Sequence, residues 1–452
     1  MSRDLLTVVL AAGKGTRMRS TQPKVLHRIA GRSMLGHVLA LATAAPGGGK
    51  LAVVVGPDMD GVRKEALAAP GAAVYVQENQ AGTADAVLAA REAIGAHEGD
   101  LLVLFADTPL ITPETVGKLL VELERGAQVA VLGFEARDPG SYGRLITAPD
   151  GTLAAIREAK DASSSEREIR LCNSGVMAFR LDAPLDVLGK IGNANAKGEF
   201  YLTDAIEIVR AQGGKAAVVR CDEEEVLGVN ARQELAAAEA IWQRRARERA
   251  MAEGVTLIAP ETVWFAFDTV LGRDVIIEPN VFFGPGVTVG EGAEIKANCH
   301  LEGARVGAGA RVGPFARLRP GAVLGRDVHV GNFVEVKNVS MADGAKANHL
   351  SYLGDGSVGA KANIGAGTIF CNYDGFFKHA TEIGEGAFVG SNSALVAPIK
   401  IGAGAYVGSG SVITKDVAAD ALALERSSQE ERPGWALKFR TMMARRKAAL
   451  GR

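Results

Sequence analysis

From about residue 254 onward a large apolar residue returns at every sixth position. Leu271, Ile277, Phe283, Val289, Ile295 and Leu301 form one run, and after a slip of one residue Val306, Val312, Leu318, Leu324, Val330 and Val336 form the next. A third ladder is Ile383, Val389, Leu395, Ile401, Val407 and Ile413, and glycine follows directly in Val306-Gly307, Val312-Gly313, Ile383-Gly384, Val389-Gly390 and Val407-Gly408. A period of six fits no helix of 3.6 residues per turn, and so much glycine would weaken any helix. It is the hexapeptide signature of a parallel β-helix, whose short faces each bury one side chain between the coils above and below. The ladder lapses at Asn338 to Gly356 and at Cys371 to Thr381. In a solenoid, insertions emerge as loops on one side, so both lapses are expected to be loops that carry chemistry.

The first half has a different rhythm. Leu5 to Leu10, Leu51 to Gly56, Ala73 to Gln77, Leu101 to Ala106 and Val129 to Phe134 read as strands, with helical patterns such as Thr83 to Ile94 and Thr112 to Leu123 between them. That alternation predicts βαβ units in a mainly parallel sheet, with ligands at the carboxyl ends of the strands. At one such end stands Leu10-Ala11-Ala12-Gly13-Lys14-Gly15-Thr16-Arg17-Met18, followed by Pro23-Lys24. Two glycines free the backbone to turn its N–H groups toward a polyphosphate, and Lys14, Arg17 and Lys24 supply positive charge. The spacing matches neither G-x-x-x-x-G-K-[ST] nor G-x-G-x-x-G, and glycine spacing alone fits a plain strand-to-helix turn equally well. Ala231 to Glu253 has a helical period and no internal Gly or Pro, and reads as a helical arm between domains. The expected division is 1–229, 230–253 and 254–452.

At 452 residues the chain exceeds one ordinary core. Its 51 Lys and Arg nearly cancel 52 Asp and Glu, which argues against a nucleic-acid face or an anionic-membrane patch. Cys172, Cys221, Cys299 and Cys371 form no C-x-x-C pair, so neither zinc nor a disulfide framework is indicated and a reducing cytoplasm fits. The opening apolar run is too short for a signal peptide or a membrane span.

Taken together, the motifs resemble those of the bacterial family of bifunctional N-acetylglucosamine-1-phosphate uridylyltransferase / glucosamine-1-phosphate N-acetyltransferase enzymes, over essentially the whole chain. The first half matches through the Leu10 to Met18 loop with Pro23-Lys24, Gln77 with Gly82-Thr83-Ala84, Asp107-Thr108-Pro109-Leu110, Tyr142-Gly143-Arg144, Glu158 to Ala162, Asn173-Ser174-Gly175, Tyr201 to Asp204 and Gly228-Val229-Asn230. The second half matches through Arg317 to Gly321, Gly331 to Lys337, His349 to Asp355, Asn363 to Gly367, Cys371 to Gly375 and Val389-Gly390-Ser391. Two departures stand out: Asp85 where the family commonly has His, and Phe105-Ala106-Asp107 in place of Tyr-Gly-Asp.

The resemblance implies an α/β protein with a Rossmann-like nucleotidyltransferase domain, a helical arm and a left-handed parallel β-helix of hexapeptide repeats. It implies acetylation of glucosamine 1-phosphate by acetyl-CoA, then transfer of UMP from UTP to N-acetylglucosamine 1-phosphate, feeding cell-envelope precursors, by a homotrimer in the cytoplasm. Leu10, Ala11, Gly13, Arg17 and Lys24 would surround the nucleotide, with Gln77, Gly82 and Thr83 reading uracil and Gly143, Glu158 and Asn173 holding the acetamido sugar. Asp107 and Asn230 would hold Mg²⁺, a hard cation suited to one carboxylate, one amide oxygen and phosphate oxygens. By residue type alone Asp107 also fits a turn aspartate, and Glu158 an ordinary surface acid beside Lys160.

Acetyl transfer needs an unprotonated amine and a base near working pH, the usual task of histidine. A lone His is more often structural, yet the matched His349-Leu350-Ser351-Tyr352-Leu353-Gly354 run makes His349 the expected base, with Glu335 as an orienting carboxylate. By the same likeness Arg319 and Lys337 would grip the sugar phosphate, and Tyr352 and Asn363 would touch the sugar. Ala366, Asn372, Tyr373, Ser391, Ser409 and Arg426 would lie around acetyl-CoA, with Ser391 a donor to the thioester oxygen. Asn372 is also good turn chemistry in Asn-Tyr-Asp-Gly. Two other readings compete: a single-function nucleotidyltransferase with a merely structural β-helix, disfavoured by His349, Lys337, Asn372 and Tyr373, and a decayed assembly subunit, disfavoured by the presence of Arg17, Lys24, Asp107 and Asn230.

Overall fold

A computed structural model describes residues 3–180 and 182–450. They form two compact units, one reaching Arg249 and including Trp264–Phe267, the other made of Ala250–Val263 and the chain from Asp268.

The main path of the nine-stranded sheet in the first unit runs through β1 (Leu5–Leu10), β2 (Lys50–Val55), β3 (Ala72–Val76), β4 (Asp100–Phe105), β5 (Val129–Glu135), β6 (Leu171–Phe179) and β7 (Ala216–Cys221), in the order β7-β5-β6-β4-β1-β2-β3, with the hairpin Arg144–Thr147 and Leu153–Arg157 joined to β6. Val8 and Val9 face opposite sides and belong to two separate apolar clusters, as do Val103 and Leu104. Both faces are dry because helices cover both. Met34–Ala44 and Pro113–Glu124 pack on one side, while Thr83–Ala89 and Ala205–Ala211 pack on the other. Strands so enclosed read as continuous apolar runs rather than alternating ones. The helix expected over Thr83 to Ile94 is two, Thr83–Ala89 and Arg91–Gly95, separated at Ala90.

Along this path most neighbours are parallel, but β6 runs antiparallel to both β4 and β5, and its pairing with β5 shifts between Asn173 and Met177. A bulge re-aims the side chains beside it. Here it sits on Asn173-Ser174-Gly175. The long helix Arg232–Ala252 is fastened to this unit: Ala238 is buried with Ile29, Met34, Leu110 and Val229. Gln243 donates to the Phe265 carbonyl at 2.7 Å and accepts from its N–H at 2.9 Å.

In the second unit, mostly two-residue strands pair in parallel from coil to coil, making one sheet of ten strands and another of fourteen. The ladder residues point inward, with Val312, Leu318 and Val336 fully buried and Val330 1% exposed. The first expected loop does not exist. Across Asn338 to Gly356 the chain forms the strands Glu335–Met341, Lys346–His349 and Tyr352–Val358, all paired in parallel. Val339, Met341, Ala345, Ala347 and Leu353 fill the interior there, so a shortened spacing and small alanines hid regular coils. The second lapse is a true excursion, lying between Ile369–Cys371 and Thr381–Ile383. All four cysteines are free.

One corner recurs in the left-handed backbone region. Asn280, Asn298 and Asn392 occupy it with φ of +56° to +61°, but three coils use Phe315, Phe333 and Leu350 at φ of +52° to +56°. Asparagine tolerates this region, whereas a bulky residue is strained by roughly 1–2 kcal/mol. The strained coils carry the His349 motif.

Candidate active sites

In the first unit the chain turns at the carboxyl edge of β1. Gly15 has φ +62°, and a Cβ there would collide with the side chain of Lys24. Glycine therefore lets the loop close over the lysine. Lys24 is 7% exposed, and its ammonium lies 2.5 Å from Asp107 Oδ2 and 3.0 Å from Asn230 Oδ1. Asp107 follows β4 and Asn230 precedes the long helix, so the fold converges two oxygens on one positive charge.

Lys24 and Asp107 line a cavity of about 270 Å³ with Leu10, Ala11, Gly13, Gln77, Gly82 and Thr83. Asp85 accepts from Gln77 Nε2 at 2.8 Å and from the Ala81 N–H at 3.1 Å, which fixes how the glutamine amide faces. The departure from His thus has a local role. Phe105 also lines the cavity, beside Gly175 of the bulge. Gln80 and Glu199 also line it. Nothing in the sequence distinguished them. Lys14 and Arg17 stand exposed on the loop, paired with no acid among the described residues.

Gly143, Glu158 and Asn173 are mutual neighbours outside that cavity. The Asn173 N–H donates to the Gly143 carbonyl at 2.8 Å, and Asn173 Oδ1 accepts from Gly175 at 2.9 Å. A Cβ on Gly143 would lie 3.3 Å from Ile156 Cγ2, 3.4 Å from Glu158 Oε1 and 3.6 Å from Asn173 Cβ, so glycine is what lets these side chains pack against the backbone there. Glu158 is no ordinary surface acid. Burial pushes its pKa up, against an opposing pull from Lys197. Thr203 Oγ1 stands 3.5 Å from it, and the neighbouring Leu202 N–H donates to Thr83 Oγ1 at 2.9 Å, linking this cluster to the cavity.

In the second unit Arg319, Lys337, Tyr352 and Asn372 gather on the fourteen-stranded sheet. Arg319 donates to Glu335 at 2.8 Å. Lys337 lies 3.4 Å from Asp355, which also accepts from Asn338 at 2.8 Å and from Asn372 at 2.6 Å. Burial alone would raise the Asp355 pKa, but these hydrogen bonds and the lysine charge hold it below the usual carboxylate range. Lys378, on the excursion, went unrecognised in the sequence. It lies beside Lys337, and the like charge of Lys337, with that of Arg319 beyond it, depresses its pKa. Crowded cations of this kind invite a phosphate.

His349 and Asn363 lie on the ten-stranded sheet, with the short turn 350–351 leading from His349 to Tyr352. Glu335 does not orient the imidazole. It is committed to Arg319 and, at 3.7 Å, Arg317, and His349 Nδ1 instead meets Asn332 Oδ1 at 2.7 Å. Above His349 the corner continues coil by coil: the Gly367 N–H donates to His349, Asn392 to Ala366, Gly410 to Ser391, and Arg426 Nη1 to the Ser409 carbonyl at 3.0 Å. Ala366, Ser391 and Ser409 therefore form a column. Tyr373 is 60% exposed, its hydroxyl bonded to Gly375 within the excursion.

An α/β cradle around a cation bound to two oxygens, ahead of a left-handed hexapeptide β-helix with its own cation cluster, places the chain among two-domain nucleotidyl- and acyltransferases. Residues 7–174 match the MobA-like NTP transferase domain, and 268–303, 303–338 and 380–415 match the bacterial transferase hexapeptide (six repeats). The chain is 59% identical over 439 residues to the protein named Bifunctional protein GlmU of Azorhizobium caulinodans, covering 97% of this chain and 98% of that one. With the protein of the same name from Xanthobacter autotrophicus it shares 59% identity over 446 residues, 98% of this chain and 99% of the other. The chain belongs to the GlmU family. It is a bifunctional enzyme with uridylyltransferase and acetyltransferase activities, using nucleotide and acetyl-CoA substrates in UDP-N-acetylglucosamine and cell-wall synthesis. Among the described residues no helix is long and apolar enough to cross a membrane.

Proposed function

We propose that the two reactions run in a fixed order on two separate sites: the β-helix from 254 acetylates glucosamine 1-phosphate, and the 1–229 domain then joins the product to UTP, with 230–253 as the link. The observation that carries this reading is that each unit holds its own cation cluster: Lys24 between Asp107 and Asn230 in the first, and Arg319 and Lys337 against Glu335 and Asp355 in the second. Gly143, Glu158 and Asn173, which cluster in the first unit, are the expected seat of the acetamido sugar, and this makes the acetylated sugar phosphate the substrate of the second step.

Uridylyl transfer is an in-line displacement in which a sugar-phosphate oxygen attacks the α-phosphorus of UTP and diphosphate leaves, so positioning and charge neutralisation do most of the work. Gln77, Gly82 and Thr83 orient the base, and Arg17 and Lys24 neutralise the triphosphate. Asp107 and Asn230 fit Mg²⁺, because their oxygens already converge on a cation, the Lys24 ammonium. A magnesium ion would then be held by one carboxylate, one amide oxygen and the substrate's phosphates. When bound, the ion supplies charge neutralisation at the phosphates.

In acetyl transfer Arg319, Lys337 and Lys378 grip the sugar phosphate, with Tyr352 and Asn363 on the sugar. Ser391 donates to the thioester oxygen, and Ala366, Ser409, Asn372, Tyr373 and Arg426 hold the CoA. His349 takes the proton as the amine attacks. Within one chain His349 and the cation cluster stand on different sheets, which supports a homotrimer whose neighbouring chains complete each site. The absence of disulfides accords with a cytoplasmic enzyme.

An assay that omits one of glucosamine 1-phosphate, acetyl-CoA, UTP and Mg²⁺ at a time tests the order. Thiol release should proceed without UTP, whereas diphosphate release should need acetyl-CoA unless N-acetylglucosamine 1-phosphate is supplied. Equal diphosphate release from the unacetylated sugar overturns it.

A further inference from the structure

We infer that Asn332 is the positioning residue of acetyl transfer: its side-chain oxygen holds the His349 imidazole in the tautomer that leaves Nε2 free to accept the proton of the attacking amine. The inference rests on the reading of His349 as the base.

The strands His329–Asn332 and Lys346–His349 pair in parallel with Asn332 directly opposite His349, one coil apart. Many strands of this β-helix are two residues long, but these two have four, so the pairing extends to the site itself. The approach is close. A Cβ on Gly331 would run into the backbone carbonyl of Asn348, so glycine is required just before Asn332. Both strands then leave through a strained left-handed residue, Phe333 at φ +55° and Leu350 at φ +52°. Strain of this kind persists where the surroundings over-determine the backbone, and it clusters at functional sites. Asn332 Oδ1 stands 2.7 Å from His349 Nδ1, facing a cavity lined by Pro314, Phe315, Phe333 and Asn348.

An amide oxygen only accepts, so Nδ1 must carry the hydrogen and Nε2 the lone pair. The amine nitrogen bonds to the thioester carbon and its proton passes to Nε2. The C–S bond breaks, and the imidazolium returns that proton to the leaving thiolate. The partner is neutral, so it fixes the tautomer without stabilising the imidazolium as a carboxylate would. No carboxylate faces the ring from the paired strands: the titratable groups on this face, Arg311, His329 and Lys346, stand at the far ends of their strands.

The test uses the full chain and follows thiol release against pH, with diphosphate release as the control for folding. Asn332→Ala should lower kcat for acetyl transfer about 10- to 100-fold, the loss that follows removal of the outer hydrogen-bond partner of a metal-ligating histidine, with KM for glucosamine 1-phosphate nearly unchanged. Asn332→Asp, which still accepts from Nδ1, should restore most of kcat and move the acid limb of the kcat/KM profile up by about one pH unit or more. If Asn332→Ala keeps the wild-type kcat, or Asn332→Asp leaves the acid limb in place, the inference fails. If His349→Ala retains full acetyl transfer, the reading of the base itself fails, a separate outcome.

Discussion

The two units assemble their sites by opposite means. In the α/β unit the Lys24 ammonium meets oxygens 83 and 206 residues away in sequence. In the β-helix Asn332 and His349 are 17 residues apart, and Lys337 and Asp355 are 18 apart. One site exists only when a whole sheet and a distant helix have come together, whereas the other needs only neighbouring coils. The chemistry matches this division. Phosphate transfer wants charge focused from several directions, and acyl transfer along an extended CoA suits groups stacked in a column.

Breaking either site alone is the sharpest test of their independence. His349→Ala should cut acetyl transfer by about 10²–10⁴-fold, the usual share of a general base, and leave diphosphate release from UTP and N-acetylglucosamine 1-phosphate unchanged. Asp107→Ala should do the reverse. Parallel thiol and diphosphate assays on both variants decide the matter, and equal loss of both activities in either one would end the comparison.

Stability offers the next largest effect. Leu104 and Leu318 are both fully buried, one in the sheet and one in the β-helix. Truncation to alanine should destabilise each by about 2–5 kcal/mol. In urea the Leu104→Ala variant should shift a single cooperative transition. Leu318→Ala should broaden its transition instead, because each coil touches only its neighbours. Circular dichroism with activity readouts for each site would distinguish these outcomes, and identical sharp shifts would contradict the one-dimensional reading.

The same contrast explains what could be read from the sequence. The six-residue ladder was legible because every coil repeats one inward position, and Val312, Leu318 and Val336 are buried as it requires. It became misleading where Ala347 and Met341 took over the interior, turning regular strands into an apparent break. The Gly-rich loop, Lys24 and Asp107 were visible as strand-end features. Asn332 was not selected, since an asparagine in a repeat announces nothing until its register with His349 is known. Lys378 was hidden on the excursion, and the antiparallel β6 was hidden because strand direction leaves no trace in composition.

Lys378 sharpens the comparison within the β-helix. Its depressed pKa comes first from the Lys337 charge beside it and then from Arg319, a like-charge penalty that a bound phosphate would relieve. Lys378→Ala should raise KM for glucosamine 1-phosphate about tenfold and change kcat little, as measured by thiol release. An unchanged KM would remove Lys378 from the phosphate grip.

The smallest expected effect lies at Glu158 and separates recognition from stability. Burial raises its pKa in the folded protein, so the charged form is the one that folding disfavours. The sign follows by linkage: a carboxyl with a raised folded pKa supports the fold at low pH, and that support is lost as pH rises through its folded pKa. At neutral pH Glu158→Gln should therefore leave the urea midpoint of the first unit unchanged or slightly higher, while raising KM for N-acetylglucosamine 1-phosphate a few-fold through the altered hydrogen bonding. A lower midpoint with unchanged KM would mean that Glu158 serves the fold rather than the sugar, and the cluster of Gly143, Glu158 and Asn173 would then lose its claim to the acetamido sugar.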